Sequence, residues 1–165
     1  GDNVDASRRS GVDPDCIRIN MDEKTISIQN GGLHIPVEKV SLVKTNGNTA
    51  VNEFKEGDTD WTWLPAFIFG EFRSSNNYIF SKCFVVEVED PNTKLKFKGT
   101  WKDNMFKDDE KAKPEMEVTP DKSIKKGKVK ITWTLDFERF KMEKYKEDDI
   151  VLFKRFAVDF VRRRN

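Results

Sequence analysis

The chain has 165 residues and a mass of 19.2 kDa, which corresponds to one domain with room for a sizeable core. Its thirteen Phe and four Trp exclude a disordered chain, and charged and apolar residues each make up 36% of the sequence. The formal net charge of +1 excludes a strong attraction of the whole chain to nucleic acid or to a membrane surface. The composition therefore predicts a single domain, over residues 1–165, with an aromatic core.

The first strand signals form a hairpin. Residues 1–13 are small and polar and are typical of a loop or of the end of a helix. Cys16–Met21 and Lys24–Asn30 then alternate apolar and polar residues, and Asp22-Glu23 joins them as a tight turn. Gly31 and Gly32 end the second strand, because glycine adopts the positive φ that other residues avoid.

The middle of the chain is less regular. Residues 38–60 are rich in Asn, Gly, Thr and acidic residues and are predicted to be a connecting region. Leu64–Arg73 is predicted to form a short buried helix, with Pro65 in its first turn. Ser74–Asn77 ends that helix.

Four further strands and a helix are predicted from the second half. Phe84–Val88 and Lys94–Lys98 flank the turn signal Asp90-Pro91-Asn92, and Lys128–Leu135 alternates throughout. Glu115–Val118 is a shorter candidate strand, and residues 147–161 are predicted to be helical. The apolar stripe of that helix consists of Ile150, Phe153, Ala157 and Phe160. Several meandering strands with helices at both ends favour an α+β, two-layer fold.

The two cysteines, Cys16 and Cys83, lie in strand-like segments without a second Cys or His at metal-ligand spacing. They are predicted to be buried free thiols, which is typical of an intracellular protein. A disulfide between them remains the alternative.

Basic residues concentrate in Lys122–Lys130 and in Arg162–Arg164. Such segments are most often a solvated loop and a solvated terminus. The alternative is a surface that faces phosphates, for example those of DNA.

Four passages, in order, resemble the ATPase domain of eukaryotic type II DNA topoisomerases. The first is Cys16–Arg18 with Ile26–Val37, and the second is Leu64–Glu71 with Ser74–Tyr78. The others are Thr100–Met105 and Ile131–Met142, and Asp149–Val151 adds a short match near the end. The resemblance implies the GHKL, or Bergerat-type, fold, in which helices cover one face of a mixed and mostly antiparallel sheet.

The resemblance also implies ATP and Mg²⁺ as cofactors and a set of site residues. By position in the motifs, Asn3 matches the magnesium-binding Asn, and Asn30 matches an Asn that contacts the nucleotide. Ser74, Ser75 and Asn76 match a cluster near the ribose and phosphates. Each also has a plainer interpretation: Asn3 as a polar residue near a terminus, Asn30 as part of a turn, and Ser74–Asn76 as the end of a helix.

The sequence departs from the family pattern at specific points. The general-base Glu of the family precedes the magnesium-binding Asn by four residues, and no residue of this chain occupies that position. Gly31 stands where the family has a polar side chain, and His34 stands where it has a glycine beside the nucleotide. After Tyr78 the sequence continues directly into Ile79–Phe84, which matches the family segment that comes after the glycine-rich lid.

These departures predict that the chain is inactive as an ATPase and that it binds ATP weakly or not at all. No residue is predicted to be catalytic, His34 included. The first hypothesis is a topoisomerase II-like ATPase domain. It would be without transducer or cleavage domain, and its N-terminus would start inside the family domain. A binding module for DNA, a topoisomerase or a chromosomal protein is the second, and an unrelated α+β domain is the third. The resemblance implies a nuclear protein and allows a homodimer, while Trp101 and Trp133 are predicted to lie in the core.

Overall fold

The computed structural model describes residues 7–8, 10–13, 15–34, 37, 80–103 and 115–162, with side chains as far as Asp159. The predicted connecting region 38–60 and the predicted helix Leu64–Arg73 lie outside these ranges. Within them, the chain forms one six-stranded sheet and a helix of sixteen residues. The α+β fold class predicted from the sequence is confirmed.

The strand order is β1-β2-β6-β3-β4-β5, and every neighbouring pair among the described strands is antiparallel. Strand β6 therefore lies between the two hairpins β1–β2 and β3–β4 and joins them into one sheet. The strands are β1 Ile17–Met21, β2 Thr25–Gly31, β3 Ser81–Asp90, β4 Leu95–Lys102, β5 Glu115–Pro120 and β6 Lys128–Leu135. Each predicted strand is present, and β3, β4 and β5 are longer than predicted.

Two aspartates form the predicted turns. In the β1–β2 turn, Asp22 Oδ1 accepts hydrogen bonds from the backbone N–H groups of Lys24 at 2.8 Å and Thr25 at 2.7 Å. In the β3–β4 turn, Asp90 Oδ1 accepts those of Asn92 and Thr93, at 2.8 and 3.2 Å. Such side-chain bonds stabilise a reversal locally, which explains why sequence alone locates both turns.

The two faces of the sheet have different chemistry because side chains alternate along each strand. One face, called here the apolar face, carries the core. Phe97 and Trp101 are almost fully buried on it, and Phe84 packs edge-on against Trp101 with ring centroids 6.2 Å apart. The buried core residues are Ile26, Val37, Phe84, Val86, Val88, Phe97, Trp101, Val129, Trp133 and Tyr145. Trp101 and Trp133 are core residues, as predicted.

The other face, called here the polar face, carries paired charges. Lys130 Nζ lies 3.0 Å from Glu87 Oε2, and Lys128 pairs with Glu89. Lys96 Nζ lies 2.5 Å from Asp121 Oδ2 at the end of the same face. These pairs link neighbouring strands while their side chains keep contact with water.

The helix α1, Glu147–Arg162, ends one residue later than predicted. Three acidic residues occupy its first turn, where the helix dipole favours negative charge, and Asp149 Oδ2 accepts the backbone N–H of Lys146 at 2.9 Å. From the predicted stripe, Ile150 packs against the core, whereas Phe153 is 43% exposed. The side chain of Phe160 lies outside the described residues.

Cys16 and Cys83 are both free thiols, as predicted, but each is half-buried rather than buried. Cys83 belongs to the polar face of β3, where side chains contact water, and Cys16 precedes the edge strand β1. Among the described residues, no helix is long and apolar enough to cross a membrane.

Candidate functional site

The candidate site is the turn that follows strand β2. Of the residues assigned to nucleotide or metal by resemblance, Asn30 is in the described part of the chain. Asn3, Ser74, Ser75 and Asn76 lie outside it, so their roles stay predictions. The same holds for residues 163 and 164 of the C-terminal basic segment.

Asn30 lies near the end of β2, on the apolar face, and is 8% exposed. It faces Ile17 on β1 and Val129 on β6, its partners in the sheet register. Its amide nitrogen donates a hydrogen bond to the carbonyl oxygen of Gly31 at 3.0 Å. The amide thus stabilises the end of its own strand.

Gly31 leaves space that a carboxylate occupies. A Cβ atom at Gly31 would lie 2.0 Å from Asp15 Oδ1. Asp15 also accepts a hydrogen bond from Lys126 Nζ at 2.9 Å, which connects the start of β1 to the loop before β6. The hydrogen bond from Lys126 is the largest of the effects that hold the pKa of the Asp15 carboxyl below its ordinary value. A larger residue at position 31 would displace this connection.

The next two residues bring the N-terminal segment to the sheet. Gly32 has a φ of 102°, which only glycine adopts without strain. Leu33 then donates its backbone N–H to Ser7 Oγ at 2.8 Å. Ser7 is fully buried, so this bond fixes the turn from the inside.

His34 and Asp90 form a buried pair between the turn and the end of β3. The imidazole Nε2 lies 3.0 Å from Asp90 Oδ1, and the two side chains are 12% and 2% exposed. Because Asp90 also accepts two backbone N–H groups of the β3–β4 turn, its carboxylate connects three segments. The sequence did not reveal this pairing.

The electrostatics of the pair favour a neutral imidazole donating to a charged carboxylate. Burial lowers the pKa of His34 below its ordinary value, although the Asp90 charge and hydrogen bond oppose this shift. Burial raises the pKa of Asp90, but hydrogen bonds from the backbone N–H groups of Thr93 and Asn92 more than compensate, so its pKa lies below the ordinary value. Asp90 is therefore the charged partner at neutral pH.

Gly127 completes the site from the β6 side. A Cβ atom there would lie 2.3 Å from the carbonyl oxygen of Gly32 and 3.0 Å from His34 Nδ1. The loop before β6 thus packs its backbone directly on the turn after β2. This close approach depends on the absence of a side chain at position 127.

Of the five residues that the resemblance assigns to ATP and Mg²⁺, Asn30 is the one that the structure describes, and its amide nitrogen is bonded within the turn. Asp15 fills the space beside Gly31, and His34 lies against Gly127. Across the described ranges, no group of three or more His, Cys, Asp or Glu could hold a metal ion. The contacts of this turn hold β2, β3, β6 and the N-terminal segment together.

The basic segment Lys122–Lys130 is largely neutralised. Lys126 pairs with Asp15, Lys128 with Glu89, and Lys130 with Glu87. Lys122 and Lys125 are exposed, and within the described part of the chain neither has a carboxylate partner. The sequence could not show this difference, because the partners lie on other strands.

No protein-family model matches the chain. Curated relatives do: DNA topoisomerase 2-alpha of Homo sapiens is 30% identical over 94% of this chain, and DNA topoisomerase 2 of Plasmodium falciparum is 32% identical over 84% of it. DNA topoisomerase 2-beta of Homo sapiens is 31% identical over 87%. The chain spans about a tenth of the length of these relatives.

Solved structures agree with the sequence relatives. The ATPase and transducer domains of DNA topoisomerase II from Balamuthia mandrillaris match 96% of this chain and 41% of their own, with 27% identity and a TM-score of 0.64. The ATPase region of Saccharomyces cerevisiae topoisomerase II matches 84% of this chain and 36% of its own, with 22% identity and a TM-score of 0.59. The 43K ATPase domain of Thermus thermophilus gyrase B matches 92% of this chain and 36% of its own, with 16% identity and a TM-score of 0.53. By sequence and by fold, the chain is a relative of the ATPase regions of type II DNA topoisomerases and has their GHKL-type α+β architecture.

Proposed function

We propose that the chain is a topoisomerase II-like ATPase domain that has kept the fold and lost ATP hydrolysis, with ATP binding weak or absent. The observation that carries the proposal is the turn after β2. There His34 is buried against Asp90 at 3.0 Å, and Asp15 lies against Gly31. Side chains of the protein itself thus occupy a turn that the family resemblance assigns to the nucleotide.

The length of the alignment supports the same proposal. The match with the human 2-alpha relative extends over 180 residues, whereas this chain has 165. Since 94% of the chain, about 155 residues, is aligned, about 25 positions of the match have no counterpart here, and a missing lid would leave such a gap. Because removing one electrostatic stabiliser of a transition state lowers a rate by about 10²–10³-fold, loss of the phosphate-binding lid would slow hydrolysis by at least that factor.

Calorimetric titration with ATP and Mg²⁺ tests the binding part. We expect no heat of binding at micromolar protein, and no phosphate release in a coupled assay. Asn30→Ala is the informative variant, and Asn20→Ala, on the exposed edge strand β1, is its matched control. Micromolar binding that Asn30→Ala abolishes and Asn20→Ala preserves would show that the nucleotide site survives.

A second proposed function is that of a binding module, with DNA as the ligand. The exposed side chains of Lys122 and Lys125, which have no carboxylate partner in the described part of the chain, favour it, and Arg162–Arg164 would extend the basic surface. Such a module would act in the nucleus, alone or as a homodimer, and a topoisomerase or a chromosomal protein would be its further partner. Size-exclusion chromatography with light scattering distinguishes monomer from dimer, and a monomeric mass would rule out the homodimer.

A further inference from the structure

The loop between β5 and β6 forms one wall of a cavity at the end of the polar face. The cavity has a volume of about 370 Å³, and strands β1, β2, β3 and β4 supply its floor and opposite wall. Arg18 and Gln29 are direct partners in the β1–β2 register, so their side chains lie next to each other on this face. Lys125 and Ser123 line the cavity from the loop.

The loop is held in place before any ligand binds. Ile124 is 4% exposed, and its carbonyl oxygen accepts a hydrogen bond from Lys94 Nζ at 2.8 Å. Asp121 Oδ1 accepts both the backbone N–H and the hydroxyl of Ser123, at 2.8 and 2.5 Å. Gly127 fixes the other end by packing on Gly32. A preorganised loop loses little conformational entropy on binding.

The charges of the cavity leave an excess of cations. Its three carboxylates are each paired with a lysine: Asp15 with Lys126, Glu89 with Lys128 and Asp121 with Lys96. Arg18 and Lys125 have no such partner among the described residues, and the exposed Lys122 belongs to the same loop. The excess positive charge therefore lies at one end of the polar face, although the net charge of the whole chain is only +1.

We propose that this cavity and its loop bind the phosphate backbone of a nucleic acid, with Arg18, Lys122 and Lys125 as the phosphate-contacting residues. Arg18 offers a planar guanidinium for a phosphate, while the side-chain amide of Gln29 adds hydrogen-bond donors. The proposal rests on the second function proposed above and assigns it to a particular surface. Its phosphate-contacting residues lie outside the turn after β2, although Gly31 of that turn also lines the cavity.

Fluorescence anisotropy with a short labelled DNA duplex tests the surface. Three phosphate contacts predict a slope of about −2.7 for the logarithm of the binding constant against that of salt concentration, or about 40-fold weaker binding at 200 than at 50 mM salt. Arg18→Gln and Lys125→Gln are each expected to reduce that slope by about one. Lys98→Gln is the matched control, because Lys98 is exposed on the polar face but does not line the cavity.

A gain-of-binding variant makes the test independent of misfolding. Asp15→Asn releases Lys126 from its carboxylate partner, so binding should become several-fold tighter at low salt and the slope steeper by about one. If wild-type protein binds with steep salt dependence but Arg18→Gln and Lys125→Gln behave like Lys98→Gln, the assigned surface is wrong and DNA binding itself stands. If wild-type protein does not bind the duplex, or binds it without salt dependence, both proposals fail.

Discussion

The two faces of the six-stranded sheet are built from the same strands and nevertheless depend on different forces. On the apolar face, Phe97 and Val129 are at most 1% exposed and are surrounded by other core side chains. On the polar face, Lys130 and Glu87 interact as a partly exposed ion pair. Burial of an apolar side chain stabilises by a few kcal/mol, whereas an exposed ion pair contributes much less.

The two faces therefore differ in the substitutions that they tolerate. The apolar face keeps the fold shared with the topoisomerase relatives, because packing at interior density tolerates few changes of shape. The polar face can exchange charged residues at little cost in stability, so a binding surface can arise there. The turn after β2 combines features of both faces, because its pair His34–Asp90 is polar and lies in the interior.

The sharpest test of the comparison uses two residues that face each other in the sheet. Phe97 on β4 and Val118 on β5 are register partners, but Val118 is 41% exposed and Phe97 is 1% exposed. Phe97→Ala should reduce the free energy of unfolding by about 3–5 kcal/mol, because it leaves a cavity in the core. Val118→Ala should cost less than about 1 kcal/mol. Urea unfolding measures both, and equal losses would contradict the assignment of the core.

The next largest loss of stability is expected where Gly127 packs on the backbone of Gly32. Gly127→Ala places a methyl group 2.3 Å from the backbone oxygen of Gly32, so the loop before β6 must move. We expect a loss of about 1–3 kcal/mol in the free energy of unfolding. Lys125→Ala, an exposed position in the same loop, serves as the control and should change stability little. An unchanged midpoint for Gly127→Ala would show that the two turns do not depend on their close packing.

The buried pair predicts a pH dependence of stability. Because the folded-state pKa of His34 lies below its unfolded value of about 6.5, the unfolded chain binds the proton more strongly. Stability contributed by the neutral imidazole is therefore complete above about pH 6.5 and is lost as the pH falls towards the folded pKa.

Urea midpoints between about pH 7.5 and 5 measure this loss, and His34→Gln should flatten it. The ionised carboxylate of Asp90 also contributes to stability, but over a lower pH range. Its contribution is present above the unfolded pKa of Asp90 and is lost as the pH falls through the depressed folded pKa. If His34→Gln shows the same decline as wild type between pH 7.5 and 5, the histidine is not the titrating group.

The smallest effect is expected on the polar face. Lys130→Gln removes the ion pair with Glu87 and should change the free energy of unfolding by about 0–1 kcal/mol. The difference from wild type should shrink further at high salt, because salt screens exposed charges. Thermal unfolding at low and high salt measures this. A loss comparable to that of Phe97→Ala would mean that the polar face also carries the stability of the fold.

Much of the fold can be predicted from local patterns. The alternation in Lys128–Leu135 predicts β6 with its observed bounds, and Asp22 and Asp90 mark turns that their own side chains stabilise. The candidate site could not be predicted in the same way. Asn30 was selected by resemblance, and its hydrogen bond to Gly31 shows a structural use of the amide that the motif does not reveal. The sequence feature that pointed to the buried pair is His34, which stands where the resemblance implies a glycine.

The sequence alone therefore determined the strands, their inward and outward residues, the terminal helix and the kinship with topoisomerase ATPase regions, because these depend on periodicity, turn chemistry and short motifs. The tertiary structure decided which charges meet. Asp15 reaches Lys126 across 111 positions of sequence, and His34 reaches Asp90, because β6 pairs with both β2 and β3 and brings their ends together. Those contacts depend on strand order and register. They also distinguish the lysines that pair with carboxylates from Arg18, Lys122 and Lys125, for which the described residues supply no carboxylate.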